Sequence, residues 1–329
     1  LERAMIREDE IVTSLATFFR EHPRVSLGPG DDTAIILEIP GKELAVSVDS
    51  SHEDVHFTLD VLTLREIGHR ALAGALSDLA AVGAEPITFL VDIQLPKRLA
   101  GRASEIYEGM EELMSAFCIS PCGGNLSRGD KLGLSVVVIG EIAKGKAITR
   151  RGVQPGDLLV ITGDIGRVRG WLLAEEMGVT RGYEPWLRRL REKFARPWPA
   201  IRQIQRLAMD VELHAAIDIS DGLGVDSWRL AIASEVEVVI DINRLPIDDS
   251  VKVIAERAKK PPWELALESG EEYEVLLAIS PKDEAWLSKL NFPATVVGSA
   301  REGRPDSRII VNGTEKSLAS SGYDHFAGH

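Results

Sequence analysis

Cysteine is scarce in this chain of 329 residues: the only two are Cys118 and Cys122, in the run FCISPCGG. Two thiols are too few for a disulfide scaffold or for a zinc site with four thiolate ligands. Their spacing, with Pro121 between them, is not that of a CxxC redox pair. We therefore interpret both cysteines as small apolar residues near a loop.

Long apolar runs and an excess of positive charge are also lacking. No run approaches the roughly 20 apolar residues that a membrane-spanning helix needs, and the opening segment LERAMIREDE lacks the apolar stretch of a signal peptide. Lys and Arg number 38 against 51 Asp and Glu, which gives a formal net charge of −13. A surface this acidic repels phosphate backbones and anionic lipids. We expect a cytoplasmic protein with no nucleic-acid partner and no membrane partner.

The common motifs for nucleotide binding and covalent catalysis are missing as well. The sequence contains no GxxxxGK[ST] P-loop, no GxGxxG dinucleotide fingerprint and no GxSxG nucleophile elbow. Two glycine-containing loops, CGGNLSRG at 122–129 and TGDIGRVRG at 162–170, remain candidates for phosphate binding. Arg128, Arg150 and Arg151 could neutralise phosphate oxygens, although surface arginines are more often simply solvated.

What is present is the composition of an ordinary globular protein, with 44% hydrophobic and 27% charged residues. The length favours two domains, and the polar turn RRGVQPGD places their boundary near residue 148. Interspersed helices and strands in both halves predict an α/β (α+β) protein with domains at 1–147 and 148–329.

Apolar periodicity predicts helices at 9–20, 64–82 and 104–117. It also predicts strands at 34–39 and 44–49 that neighbour one another across Pro40 and Gly41. The glycine-rich segment 122–130 is predicted to be a loop, and the charged segment 180–199 a linker.

Acidic residues recur beside glycine or small residues at the predicted ends of strands and helices. They are Asp31, Asp32, Asp49, Asp78, Asp218, Asp221, Glu271 and Glu272. Carboxylate oxygens suit hard cations, and Mg²⁺ usually takes one or two of them together with water and substrate phosphate. Each acid taken singly is also typical of a turn or of a helix N-cap.

Asp218 follows the apolar run AAI, where an inward acid is costly to bury unless a metal or another cation compensates it. Ser220 or Asp221 could instead cap a helix that runs from Gly222, and the two roles are compatible. His56, a lone histidine, is typical of a hydrogen-bonded loop imidazole. Acids without an obvious nucleophile are what phosphoryl transfer requires, because there the protein mainly positions reactants and stabilises charge.

Eight blocks in this order resemble the thiamine-monophosphate kinases, over nearly the whole chain. They are GPGDDTAIIL, SVDSSHEDVHF, ALAGALSDLAAVGAEP, GGNLSRG, TRRGVQPGDLLVITG, AIDISDGLGVD, SGEEYEVL and GYDHF. The resemblance implies two α/β domains, the second an α/β sandwich, and a homodimer whose amino-terminal sheets combine into a β-barrel. It also implies ATP- and Mg²⁺-dependent phosphorylation of thiamine monophosphate to thiamine diphosphate.

The resemblance further implies roles for individual residues. Metal-binding positions are Asp32, Ser47, Val48 through its backbone carbonyl, Asp49, Asp78, Asn125, Asp218 and Asp221. Nucleotide contacts are Tyr107, Gly124, Asn125, Arg150 and Ser220, and thiamine contacts are His56, Glu271 and Tyr323. Among these, Asp218, Asp221 and Arg150 are expected to support the chemistry directly.

The chain departs from the family pattern at three blocks. Asn125 stands where the family's GGDT loop has Asp, SGEE replaces GGED, and SVD replaces STD. A neutral amide binds Mg²⁺ more weakly than a carboxylate does. Two alternatives therefore stand beside the kinase: a related ATP-using enzyme with another acceptor, and a non-catalytic protein that binds nucleotide or thiamine phosphate.

Overall fold

The computed structural model describes residues 8–28 and 33–318, which form two compact units. Unit 1 contains the described residues up to Leu79 and those from Ala84 to Ala147. Unit 2 contains Ala80–Gly83 and the described residues from Ile148 onward. No helix of this described part of the chain is long and apolar enough to cross a membrane.

Unit 1 contains a four-stranded sheet, a separate two-stranded ribbon and three α-helices. Its elements are α1 Glu8–Ala16, β1 Val25–Leu27, β2 Ile35–Ile36, β3 Lys42–His52, α2 Leu64–Val82, β4 Glu85–Leu95, α3 Ser104–Phe117, β5 Ser120–Arg128 and β6 Gly133–Ala143. The sheet order is β3-β6-β4-β5. The β4–β5 pair is parallel, and the other two pairs are antiparallel.

The α2 and α3 helices confirm the predictions at 64–82 and 104–117, whereas two predictions in this unit are wrong. β2 pairs with β1, and β3 pairs along its full length with β6, so the two apolar runs are not neighbours. An apolar run indicates a strand but does not choose its partner. The second wrong prediction is the loop at 122–130. Its residues up to Arg128 belong to β5, which pairs with β4.

One face of the sheet is buried and the other is more open. Along β6, the buried Leu134, Val136 and Val138 alternate with Val137 and Ile139, which are only partly buried. This period of two is that of a strand covered on one side. By register, Val137 and Ile139 share the open face with Val48 and Val46 of β3.

Unit 2 contains a seven-stranded, mostly antiparallel sheet with helices between its strands. Its elements are β7 Leu158–Thr162, α4 Arg167–Glu176, α5 Pro185–Ala195, α6 Ile201–Asp210, β8 Leu213–Asp218, α7 Leu223–Ser234, β9 Glu237–Asp241, α8 Asp249–Ala258, α9 Pro262–Glu268, β10 Val275–Ile279, α10 Glu284–Leu287, β11 Ala294–Arg301, β12 Asp306–Val311 and β13 Thr314–Ser317. The order is β13-β12-β9-β11-β7-β10-β8, with β12–β9 as the parallel pair. Its core includes Ile161, Ile217 and Leu276 of three adjacent strands, all almost fully buried.

The prediction of a linker at 180–199 is wrong for the central part of this segment, which forms α5. Leu187, Leu190 and Phe194 recur at helical spacing on this segment and are buried. The surrounding Arg, Lys and Glu residues dominate its composition and conceal this stripe. Pro185, which begins the helix, is compatible with a first turn because that turn does not need its amide proton.

Candidate active site

In unit 1, β3 and α2 carry four of the predicted metal-binding residues and bring two of them, Ser47 and Asp78, into contact. The Ser47 Oγ hydroxyl donates to Asp78 Oδ2 at 2.5 Å. Ser47 and Asp49 lie two positions apart on β3 and therefore share a face, and Asp49 Oδ1 accepts from the Ser50 amide at 2.8 Å. The side chain of Val48 faces the other side and is largely exposed, so its backbone carbonyl is the group it could offer a cation. Asp32 lies outside the described residues.

Gly124 and Asn125 lie on β5, where this strand approaches β4 closely. A Cβ atom on Gly124 would lie 2.4 Å from the Val91 carbonyl oxygen, so no larger residue fits without moving a strand. The Asn125 side chain is exposed, and its Nδ2 donates to Asp92 Oδ1 at 2.7 Å. Glycine here permits the strand pairing, which is why the glycine-rich segment is a strand and not a loop.

Two further predicted contacts of unit 1 have definite surroundings. Tyr107 of α3 is almost fully buried, its ring centroid lies 5.5 Å from that of Phe18, and burial strongly raises its pKa. His56 lies in the turn after β3, and its Nδ1 accepts from the His52 amide at 3.1 Å. In the neutral ring the proton is therefore on Nε2. Both roles, nucleotide and thiamine contact, stay predictions.

In unit 2, the turn between β8 and α7 presents Asp218, Ser220 and Asp221. Asp218 ends β8 and is 3% exposed. The predicted capping of α7 by Ser220 or Asp221 is wrong, because Gly222 occupies the cap position without a side-chain bond. Instead of capping α7, Ser220 and Asp221 are bound by a residue of that helix: Asp226 Oδ2 accepts from the amides of Ser220 at 3.1 Å and of Asp221 at 3.0 Å.

Asp226 is a functional candidate that the sequence reasoning missed, since its spacing signals only the first turn of a helix. Arg229 donates to Asp226 Oδ1 at 2.9 Å and also pairs with Asp221. Burial, with the negative charges of Asp218 and Asp221, raises the pKa of Asp226 to about 7. Arg229 thus pairs with two of the three carboxylates of this turn, Asp221 and Asp226, and the negative charge that remains favours a further cation.

The segments that contain Glu271 and Arg150 are both hydrogen-bonded to the region that runs from β8 to α7. The Glu271 amide donates to the Ser220 carbonyl at 2.7 Å, and Glu271 has a left-handed φ of 54°. The Arg150 side chain is exposed, and its carbonyl accepts from Ser234 Oγ at 2.8 Å. The Ala216 amide of β8 donates to the Thr149 carbonyl at 3.0 Å, which holds the Arg150 turn beside this strand.

The predicted site residues thus form separate groups, each described within its own unit. Unit 1 brings Ser47 and Asp78 into direct contact, and unit 2 brings Ser220 and Glu271 together. Among the residues that the structure describes, no three His, Cys, Asp or Glu side chains form a group able to hold a metal ion. Tyr323 lies outside the described residues.

Comparison with known proteins identifies the family. Residues 30–142 match the AIR synthase related protein N-terminal domain, and residues 154–311 match the corresponding C-terminal domain. The thiamine-monophosphate kinase of Bacillus subtilis (strain 168) is 33% identical over 337 residues, which cover 97% of this chain and 99% of that protein. The chain belongs to the thiamine-monophosphate kinase family. This confirms the resemblance drawn from the eight sequence blocks.

Solved structures of the family agree with this assignment. The crystal structure of the thiamine-monophosphate kinase from Stenotrophomonas maltophilia K279a has a TM-score of 0.80 and 29% identity, and covers 94% of this chain and 96% of that one. AaThiL complexed with AMPPCP and TMP has a TM-score of 0.78 and 30% identity, over 88% of this chain and 89% of that one.

The structure explains one departure from the thiamine-monophosphate kinase pattern, the SGEE block. Ser269 Oγ donates to Glu272 Oε1 at 2.5 Å, and Glu272 Oε1 also accepts from the amides of Gly166 and Val168. Ser269 Oγ accepts from the Arg169 amide at 2.9 Å. These amides lie in the segment 162–170, so the amides at 166, 168 and 169 already have acceptors within the chain. The interpretation of this segment as a phosphate-binding loop is therefore wrong.

Glu272 itself has no exposed surface and lies within a buried polar network. Burial raises its pKa, while Lys193, the Ser269 hydroxyl and the Val168 amide act in the opposite direction. Lys193 Nζ donates to Glu274 Oε1 at 2.7 Å, and Thr162 Oγ1 donates to Glu274 Oε2 at 2.8 Å. The second acid of the SGEE block is therefore structural, and the substrate contact of Glu271 stays a prediction.

Proposed function

We propose that this protein transfers the γ-phosphoryl group of ATP to thiamine monophosphate and forms thiamine diphosphate. A phosphate oxygen of thiamine monophosphate attacks the γ-phosphorus in line, the bond to the β–γ bridging oxygen breaks, and ADP leaves. The attacking phosphate is already ionised, so no strong general base is needed. One observation carries the proposal: this member of the thiamine-monophosphate kinase family has oxygen-donor side chains on β3 and α2 and in the turn between β8 and α7.

We assign Mg²⁺ to these oxygen donors. The donors are Asp32, Ser47, the Val48 carbonyl, Asp49, Asp78, Asn125, Asp218 and Asp221. This set fits Mg²⁺ because it consists of carboxylate, hydroxyl, amide and carbonyl oxygens without sulfur or imidazole. The buried Asp218 and the two carboxylates that share Arg229 favour a cation, because one guanidinium does not balance three negative charges. Bound Mg²⁺ would neutralise phosphate charge in the ground state and in the transition state.

The remaining contacts divide between nucleotide and acceptor. We assign Tyr107, Gly124, Asn125, Arg150 and Ser220 to ATP, and His56, Glu271 and Tyr323 to thiamine monophosphate. Arg150 would stabilise charge on the transferred group, because a guanidinium contacts two phosphate oxygens at once. On this assignment residues 1–147 bind metal and ATP and form the dimer, and residues 148–329 supply further nucleotide and substrate contacts.

We assign the dimer contact to the edge of the unit 1 sheet. Leu44, Val46 and Val48 share one face of β3 and are 52%, 62% and 61% exposed. In the described part of the chain β3 is an edge strand, and an apolar edge of this kind marks an interaction surface. A second copy that pairs with this edge would extend the sheet toward a barrel.

The positions of the candidate ligands also favour a dimer. β3 and β5 are at opposite edges of the sheet, three strand spacings of about 4.8 Å apart. Asp49 and Asn125 are therefore too far apart within one copy to bind the same ion. A partner whose β5 lies beside β3 would bring these two strands together.

The proposal is tested by incubating purified protein with ATP, MgCl₂ and thiamine monophosphate and measuring thiamine diphosphate by chromatography. We expect product that depends on both nucleotide and Mg²⁺, and Asp218→Asn should abolish it. Thiamine in place of thiamine monophosphate should give no product. Absence of thiamine diphosphate across a range of Mg²⁺ concentrations and pH would overturn the proposal, even if the protein hydrolysed ATP.

A further inference from the structure

The departure at Asn125 coincides with a carboxylate on the neighbouring strand. Asp92 of β4 and Asn125 of β5 are directly paired in the parallel register. The Asn125 Nδ2 group donates to Asp92 Oδ1 at 2.7 Å. Both side chains are exposed, and Asp92 has no ion pair with any residue in the described ranges 8–28 and 33–318.

We propose that Asp92 is a cation-binding residue of the nucleotide site and supplies the carboxylate that the family pattern places at position 125. The inference rests on the proposed kinase function and adds a residue to its metal site. None of the sequence blocks that carry the family resemblance includes Asp92. The residue becomes a candidate only through the register of β4 and β5.

The hydrogen bond fixes which atoms remain for a ligand. Asn125 uses an N–H to contact Asp92, so the carbonyl oxygen of the Asn125 amide remains as an acceptor. The second carboxylate oxygen of Asp92 has no hydrogen-bond donor among the described residues. A carbonyl oxygen and a carboxylate oxygen on adjacent strands are both suitable Mg²⁺ ligands.

Charge supports the same conclusion. Asn125 is neutral and Asp92 is an acid, so the pair carries the single negative charge that one Asp at position 125 would carry. Within this pair the charge lies one strand, about 4.8 Å, from position 125. The distance is below the Debye length of about 8 Å in physiological salt, so a cation beside Asn125 still experiences the charge of Asp92.

Asp92 could alternatively act only by holding Asn125 in place, and substitution separates the two roles. Asp92→Asn removes the charge but keeps an oxygen that accepts from Asn125. If Asp92 only positions Asn125, this variant should bind Mg²⁺ as the unaltered protein does. If Asp92 binds the cation, the variant should need more Mg²⁺.

The experiment measures binding of the non-hydrolysable analogue AMPPCP to the full-length protein by calorimetry, at a series of Mg²⁺ concentrations. We expect Asp92→Asn to raise the Mg²⁺ concentration for half-maximal binding about tenfold. The double variant Asp92→Asn with Asn125→Asp should restore the original dependence, because the carboxylate returns to β5. Asp249→Asn removes one exposed charge from α8 and should change nothing.

An unchanged Mg²⁺ dependence in Asp92→Asn would overturn the inference and leave the kinase proposal intact. Equal impairment of Asp92→Asn and of the double variant would also overturn it, since the charge at 125 would then not replace that at 92. Thermal unfolding of each variant checks that it is folded. If the unaltered protein binds no AMPPCP at any Mg²⁺ concentration, the proposed function fails and this inference fails with it.

Discussion

Ser269 and Glu272 form a 2.5 Å hydrogen bond at the start of α4, and each is a departure from the family's GGED block. Ser269 adds a hydroxyl where the pattern has glycine, and Glu272 is longer than the aspartate of the pattern. Each therefore supplies what the other needs: the hydroxyl donates to the longer carboxylate, which reaches the α4 amides. Two changes that look independent in the sequence are one structural unit.

This relationship predicts that the two positions are energetically coupled. Ser269→Gly and Glu272→Asp each remove the bond between them, so each single variant should be destabilised by about 1–3 kcal/mol. The double variant should lose clearly less than the sum of the two, because the shared bond is lost only once. The measurement is urea unfolding of all four proteins.

A matched control for this cycle is Ser288→Ala. Ser288 also donates a side-chain hydrogen bond, to the Ala285 carbonyl at 2.9 Å, but it is exposed. It should change the unfolding free energy by no more than about 0.5 kcal/mol. Strict additivity of the Ser269 and Glu272 effects would contradict the coupling.

The surroundings of Gly124 and Gly123 predict that the same substitution costs different amounts of stability at the two positions. A Cβ at position 124 would lie 2.4 Å from the backbone oxygen of Val91, and one at position 123 would lie 3.3 Å from a methyl carbon of Leu90. A backbone atom cannot rotate away, whereas a leucine side chain can. We expect Gly124→Ala to cost about 1–3 kcal/mol and Gly123→Ala clearly less.

The same pair of variants tests the role of β5 in nucleotide binding. A displaced β5 carries Asn125 with it, so folded Gly124→Ala should also bind AMPPCP more weakly than Gly123→Ala does. Thermal unfolding and calorimetry measure the two effects. Similar stability and similar binding in both variants would show that β4 and β5 are not packed as closely as described.

The exposed edge of β3 predicts how the protein associates. Val46→Glu places a charge among Leu44, Val46 and Val48, where a second copy is proposed to pack. Because an unpaired charge is costly to bury at an interface, this variant should elute as a monomer. Light scattering after size-exclusion chromatography measures the mass. Met209→Glu, on a 78% exposed residue of α6, should leave the dimer unchanged.

The sequence predicted regular elements well where periodicity was strong, as in α2, whose limits were found at Leu64 and Val82. It failed where composition and tertiary context disagree. The glycines of β5 suggested a loop, but the neighbouring β4 provides a hydrogen-bonding partner. The charged residues of α5 concealed an apolar stripe that is visible once Leu187 and Leu190 are seen to be buried.

The candidate site shows the same division. The ordered sequence blocks identified acids such as Asp78 and Asp218, because each stands in a recognisable local motif. Asp92 lies in none of the blocks, and Asp226 ends the block AIDISDGLGVD at a spacing typical of the first turn of a helix, so both were missed. Asp92 becomes a candidate only through the register of β4 and β5, and Asp226 only through its hydrogen bonds to the turn after β8. Both are properties of the folded chain.

The contact between Ser47 and Asp78 predicts a graded response to loss of metal ligands. Asp78→Asn removes a charge that we assign to Mg²⁺, so it should raise the Mg²⁺ concentration for half-maximal AMPPCP binding by about tenfold or more. Ser47→Ala leaves the carboxylate and removes one neutral donor, so its effect should be smaller. Calorimetry at a series of Mg²⁺ concentrations measures both, with Asp249→Asn again as the control for charge.

A larger effect from Ser47→Ala than from Asp78→Asn would mean that the hydroxyl, and not the carboxylate, dominates cation binding at β3. Because the attraction of a carboxylate for Mg²⁺ is electrostatic and that of a hydroxyl is only dipolar, we expect the reverse order.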